Sequence, residues 1–200
     1  VTALRLHRTG DPALDAAVGS VKTIQARRFR GTYTDLMASP AFGPAARFFL
    51  EELYSDTDYT DRDQQFGRIA GTLQTIFPQP VVNTAVALAV LHAQTEELDQ
   101  DMGRAWLAHE EADAANDSAL YTAAWRTVGQ RHARQQQLQR VLAMGTDLAR
   151  LTRTPGLRMM LRMMRGPANA AGMGALQKFL EAGFDTFGQL ARQRGGVEQF

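Results

Sequence analysis

The stretch PQPVVNTAVALAVLHAQTEELDQ, residues 78–100, decides the fold class of this chain. The two prolines at its start end any preceding helix and are typical of the first turn of a new one. Residues 81–93 are then apolar nearly all round and too few to span a membrane, so we predict a buried central helix there. The segment turns polar at Thr95 and should continue as helix to about Leu107. Four of its residues are expected to be buried: Val82, Ala85, Val86 and Ala89.

Helix-start signals also occur before this segment. Asp11-Pro12 places a capping acid before a first-turn proline, and apolar residues follow at helical spacing. Ser39-Pro40 repeats the same device. Thr60, with an acid three residues later, resembles a capping box and predicts a helix over the apolar residues that follow it.

The same periodicity continues towards the C-terminus. We predict a loop at residues 109–118, one long helix over about residues 119–151, and a short methionine-rich helix after Pro155. Gly166-Pro167 should break the chain before a last amphipathic helix.

No strand alternation, hairpin dipeptide or long linker interrupts this pattern. The sequence therefore predicts an all-α single domain, residues 1–200, of about seven helices. The number of helices invites comparison with the orthogonal packing of globins, which is an analogy at the level of fold only.

Charge is distributed unevenly along the chain, although the net charge is only +1. Residues 1–30 carry six basic and two acidic side chains, residues 31–125 carry four and fifteen, and residues 126–200 carry twelve and four. Acidic helices packing beside basic ones within one fold explain this most simply. Since a nucleic-acid binder should show an overall basic excess and a recognition motif, we predict no nucleic-acid partner.

The sequence contains no cysteine, which excludes disulfides, thiolate metal sites and a cysteine nucleophile. Neither a secretory signal pattern nor a membrane span is evident in it. It has no Walker loop, dinucleotide fingerprint, nucleophile elbow or zincin motif, so we predict no catalytic residue. We expect a cytoplasmic protein.

Two segments resemble an uncharacterised family of bacterial all-helical proteins. Residues 48–54, FFLEELY, followed by Asp58 and Arg62-Asp63, are similar to the FFLxxLY segment and downstream RD pair of that family. Residues 165–187 are similar to the end of the same family, and the resemblance covers residues 25–190. The resemblance implies an all-helical fold and a bacterial, intracellular setting, and it implies no activity.

Two histidines are candidate cofactor ligands. His92 lies in the most apolar predicted helix, where a buried imidazole needs a polar partner, and a satisfied core histidine is the simpler interpretation. His132 lies on the same predicted helix face as Trp125, beside two arginines that indicate a water-facing edge. Either histidine could be an axial ligand, so a globin-like haem or bilin-binding protein is an alternative function.

The carboxylates suggest a third hypothesis, a carboxylate/His metalloenzyme. His92, Glu96 and Asp99 share a helix face, but the Glu-x-x-His pairs of a di-iron bundle are absent. Six acids between residues 51 and 63 lack the glycine and glutamate spacing of a calcium loop. We therefore predict no metal ligand and interpret these acids as helix-capping residues.

The segment 157–164 contains four methionines, with three arginines along one face. Methionine-rich surfaces are adaptable and occur in grooves for apolar ligands or partners, and core packing is the simpler alternative. The candidate groove residues are Arg158, Met160, Arg162, Met164 and Arg165.

The leading function hypothesis is a non-catalytic helical protein that binds a partner or an apolar small molecule. The charge distribution and the methionine-rich segment also predict a homodimer whose interface includes residues 155–175. That dimer should persist at high salt, because methionine burial is not screened, and should dissociate when Met160 and Met164 are both changed to Lys.

Overall fold

The computed structural model describes residues 10–53, 65, 68, 77–110, 116–193 and 196. Nearly all of these residues are helical and none lies in a strand, which confirms the predicted all-α class. A π-helical turn, Phe49–Leu53, follows the third helix. The α-helices are α1 (Pro12–Thr32), α2 (Thr34–Ala38), α3 (Gly43–Phe48), α4 (Gln79–Glu110), α5 (Asp117–Val128), α6 (Arg131–Thr152), α7 (Leu157–Met163), α8 (Arg165–Ala170) and α9 (Gly174–Leu190).

The described residues group into two compact units. The first comprises residues 10–34 and 89–140, and the second comprises residues 35–53, 77–88 and those from 141 onward. Helices α4 and α6 each contribute residues to both units. The prediction of a single domain over residues 1–200 stays a prediction.

The first unit is built on α1, whose start matches the sequence prediction. The Asp11 carboxylate accepts a hydrogen bond from the backbone N–H of Leu14 at 3.1 Å, which caps the helix. The buried face of α1 packs against α4 and α5 around Trp106 and Tyr121. Gly103 permits a close approach of α4 to α1, because a Cβ at this position would lie 2.6 Å from Val18 Cγ2. The core of this unit contains Ala17, Val21, Ile24, Met102, Ala105, Trp106, Leu120, Tyr121 and Ala124.

The second unit is built around α9, which packs against α3, α7 and α8. Phe48 of α3 stacks on Phe179 and meets Phe187 edge-on, with ring centroids 5.8 and 6.1 Å apart. A second cluster in this unit contains Phe77, Val82, Leu151, Leu157, Leu161 and Leu176.

Helix α4 starts where the sequence predicts, directly after Pro78, but its first turns are covered on one side only. Val82 is buried and Ala85 is partly buried, whereas Val86 is 57% exposed and Ala89 is also exposed. The predicted burial is therefore confirmed for Val82 and wrong for Val86 and Ala89. Apolar composition allows burial on every side, but the neighbouring elements cover only the face of Val82.

The predicted long helix over residues 119–151 is divided into α5 and α6. Gly129 and Gln130 both have positive φ, 61° and 46°, which ends α5 in a tight turn. The chain restarts as α6 at Arg131.

Two further boundaries differ from the sequence predictions. Helix α4 extends to Glu110, beyond the end predicted near Leu107. The Asn116 side chain caps α5. Residues 111–115 of the predicted loop lie outside the described residues. Gly166-Pro167 lies inside the first turn of α8 rather than in a loop, because proline is tolerated near a helix start. Of the helix predicted from Thr60, only Gln65 and Arg68 are described, and both are helical.

Candidate functional site

A cluster of buried charges lies within the first unit, between α1 and α4. Glu96 and Asp99 are 1% and 3% exposed. The Lys22 ammonium donates to Glu96 Oε1 at 2.8 Å and lies 4.0 Å from Asp99 Oδ2, while Gln25 Nε2 donates to Asp99 Oδ1 at 3.2 Å. These three charged groups thus join α1 to α4, although Lys22 and Glu96 are 74 positions apart in the sequence.

Burial raises the pKa of the Asp99 carboxyl above its ordinary value, while the Lys22 ammonium and the Gln25 hydrogen bond lower it. Burial is the largest of these causes. Both carboxylates are buried and are joined to α1 through Lys22 and Gln25. The cluster is a structural anchor between α1 and α4.

Arg134 of α6 lies in the same unit with its guanidinium 4.4 Å from the centroid of the Trp125 ring. Its Nε and Nη2 atoms are buried without a hydrogen-bond partner. Stacking on the indole face and the nearby charge of Asp99 partly offset this cost. The stack holds the start of α6 against α5.

An open groove of about 710 Å³ runs along α4 and α6 within the first unit. On α4 the lining positions recur at helical spacing from Val90 to Arg104, which spans about 21 Å of helix. Half of the lining residues are exposed, so the groove is an elongated depression and not an enclosed pocket. Its lining residues are Val90, Ala93, Gln94, Glu97, Leu98, Gln100, Asp101, Arg104, Gln130, Ala133, Gln136 and Arg140.

Hydrogen bonds across the groove floor fix the two helices in antiparallel register. Gln94 Nε2 donates to the Ala133 carbonyl at 2.9 Å, and Arg140 Nη1 donates to Gln94 Oε1 at 2.8 Å. Gln130 Nε2 donates to Asp101 Oδ2 at 2.7 Å. These hydrogen bonds therefore fix the spacing of the two groove walls.

Two charges of the groove have no opposite charge beside them. Glu97 is exposed and takes part in no ion pair among the described residues. Arg140 is bound to the neutral amide of Gln94 and to no carboxylate of the described residues. Asp101 and Arg104, by contrast, pair with each other at 3.0 Å.

Exposed aliphatic side chains accompany these charges in the same unit. Val90 of the lining is 44% exposed, and Leu138 of α6 is 59% exposed. A large aliphatic side chain left mostly in water favours contact with another apolar surface.

The two predicted cofactor ligands both belong to the first unit. His92 lies partly buried in α4. His132 is exposed near the start of α6, with its Nε2 2.9 Å from Gln136 Nε2. The haem or bilin hypothesis stays a prediction.

The predicted methionine-rich groove belongs to the second unit. Met160 and Met164 are partly buried, and Met160 packs against the core, whereas Met159 and Met163 are 67% and 69% exposed. Arg162 is exposed beside them. The exposed methionines are thus the neighbours of the two that the sequence suggested.

The flanking arginines of this segment pair with carboxylates of α9. Arg158 Nε and Nη2 donate to Asp185 at 2.7 and 2.9 Å. Arg165 Nε donates to both oxygens of Glu181 at 2.7 and 2.9 Å, and this hydrogen bonding lowers the pKa of Glu181 to about 2. A depression of about 400 Å³ lies beside Arg158 and Asp185. These arginines support the packing of α7 and α8 on α9.

The other sequence-predicted features are described only in part. Within the described ranges, no group of three or more histidine or carboxylate side chains could hold a metal ion. Of the six acids between residues 51 and 63, only the side chain of Glu51 is described, and it is exposed. Tyr54, Asp58, Arg62 and Asp63 of the resembling motif lie outside the described residues.

No helix in the described part of the chain is long and apolar enough to cross a membrane. The fold and groove define an all-α protein with an open groove between two antiparallel helices. The chain belongs to the family described as a domain of unknown function, DUF8198, whose model matches residues 4–200. Comparisons with curated proteins and with solved structures gave no significant match.

Proposed function

We propose that this protein is a non-catalytic interaction protein that binds an amphipathic helix of a partner in the groove between α4 and α6. The observation that carries the proposal is the run of lining positions at helical spacing from Val90 to Arg104. A groove between two helices is the usual docking surface for a third helix, whose apolar residues bind at the same spacing.

The openness of the groove favours a helix over a small molecule. A small-molecule site buries most of its ligand, whereas half of these lining residues are exposed. A length of about 21 Å corresponds to about 14 residues of a bound helix.

The mixed polarity of the groove is also suited to a protein partner. Apolar contacts come from Val90, Ala93 and Ala133, and three accessible glutamines, Gln94, Gln130 and Gln136, provide hydrogen bonds between them. Protein interfaces combine an apolar centre with a polar, hydrated rim in this way.

Site-specific photocrosslinking in the organism that encodes the chain tests this proposal. A benzophenone amino acid in place of the exposed lining residue Gln136 should give one dominant protein adduct, and Val90→Arg in the same chain should abolish it. Met159→Arg places the same change on an exposed apolar position of the second unit and should leave the adduct intact. An adduct that survives Val90→Arg, or that Met159→Arg removes equally, would contradict binding in the groove.

A further inference from the structure

We infer that the helix in the groove belongs to a second copy of this chain, so that α4 and α6 of two protomers form a four-helix interface with two-fold symmetry. This inference rests on the proposed function and identifies its partner. It places the homodimer contact in the first unit, and not in the methionine-rich segment from which the sequence predicted it.

The unpaired charges of the groove are complementary to each other. Glu97 lies on α4 without an ion pair, and Arg140 lies on α6 with only the neutral Gln94 as partner. In a two-fold interface each residue pair occurs twice, so Glu97 of each protomer can meet Arg140 of its partner. One surface thus supplies both halves of an interfacial ion pair.

The uncharged groups of the groove are suited to the same arrangement. A glutamine carries both a donor and an acceptor, so the exposed Gln130 and Gln136 can bond to a second, identical surface. Val90 of the lining, which is exposed in one protomer, would be covered by the same surface of the other.

The size of the groove sets the expected affinity of the dimer. Twelve residues line it, whereas a standard stable interface has about 20–30 residues on each side. The dimer should therefore dissociate in the micromolar range and weaken as salt is raised, because its ion pairs are exposed.

Charge reversal combined with mixing tests this inference on the full chain. Glu97→Arg and Arg140→Glu should each weaken self-association by about tenfold or more, since each places two like-charge pairs across the interface. A mixture of the two variants should form a heterodimer as tight as the parent dimer, because every arginine then faces a glutamate. Sedimentation velocity on each variant and on the mixture measures this, and circular dichroism melts verify that each variant folds.

The matched control is Met159→Arg with Met163→Arg, which changes the exposed methionines of α7. This variant should self-associate like the parent. Dissociation of this control with no effect of the charge reversals would overturn the inference and place the dimer at the methionine-rich segment. Failure of the mixture to associate would overturn it too.

The inference and the proposed function can fail separately. If the parent chain is monomeric at high micromolar concentration but the Gln136 crosslink captures a different protein and Val90→Arg abolishes that adduct, the second copy is wrong and the groove stands as a binding site. If the chain is monomeric and the groove captures nothing, both are wrong.

Discussion

At the scale of single residues, Lys22 is the side chain on which two buried carboxylates depend. Glu96 and Asp99 have side chains only 2% and 4% exposed, and the Lys22 ammonium lies within 4.0 Å of a carboxylate oxygen of each. Removing one partner of a buried ion pair leaves an uncompensated charge, which is far more costly than the pair is stabilising.

We predict that Lys22→Met lowers the free energy of unfolding by about 3–5 kcal/mol, because Glu96 would lose the Lys22 hydrogen bond and both carboxylates would lose the Lys22 charge. Lys178→Met is the matched control, since Lys178 is exposed on α9 and is the only other lysine of the chain. That control should change stability by less than about 0.5 kcal/mol. Urea titration of both variants measures the difference in the free energy of unfolding. Equal values for the two variants would show that the buried cluster is not an anchor.

The sequence could identify some of these residues but not their arrangement. Helical spacing places Glu96 and Asp99 on one face of α4, together with His92, and a metal or cofactor site was a reasonable hypothesis for that face. Lys22 precedes Glu96 by 74 positions, and no local pattern predicts a pair at that separation. Which face of α4 meets α1 is decided by packing between helices.

At the scale of helices, the sequence predicts where a helix starts better than where it ends or which of its faces is buried. Asp11-Pro12 and Pro78 are capping or first-turn signals that act within a few residues, and both mark the observed starts. Gly129 did not predict the end of α5 in the same way, because a single glycine without a nearby proline is tolerated in a helix. The exposure of Val86 could not be predicted either, since it depends on which neighbours cover α4.

The ion pair between Arg165 of α8 and Glu181 of α9 makes the stability of the fold depend on pH in the acid range. The pKa of Glu181 is lowered from its ordinary value of 4.5 to about 2 by the Arg165 hydrogen bonds. A carboxyl whose folded pKa is depressed stabilises the fold above its ordinary pKa, and this contribution is lost as the pH falls from 4.5 towards 2.

We therefore predict that Glu181→Gln reduces stability at neutral pH and removes part of the loss that the parent shows between pH 4.5 and 2. Glu51→Gln, at an exposed glutamate without an ion pair among the described residues, is the control and should follow the parent curve. Denaturant unfolding at a series of pH values measures both. Parallel curves for Glu181→Gln and the parent would contradict a stabilising role for this pair.

At the scale of the whole molecule, two compact units share two continuous helices. Helix α4 has 32 residues and α6 has 22, and each passes from one unit into the other without a break in its hydrogen bonding. Unfolding one unit alone would therefore have to interrupt both helices in the middle of their length. Such sharing favours a single cooperative transition.

The two tryptophans make this cooperativity measurable. Trp106 and Trp125 both lie in the first unit, so their fluorescence reports on that unit alone, whereas far-ultraviolet circular dichroism reports on all helices. We predict that the two signals give the same midpoint in urea. Separate midpoints would show that the units are independent domains, contrary to the single domain that the sequence predicts.

The close approach at Gly103 has a consequence for how freely this chain can vary. A methyl group there would lie within 2.6 Å of Val18 Cγ2, and valine is stiff about χ1 and cannot turn away cheaply. Gly19, exposed on α1 with nothing within 4 Å of its own Cβ position, tolerates many side chains. In a saturation library selected for folded protein, position 103 should return glycine almost alone, while position 19 should return a broad and mostly neutral set.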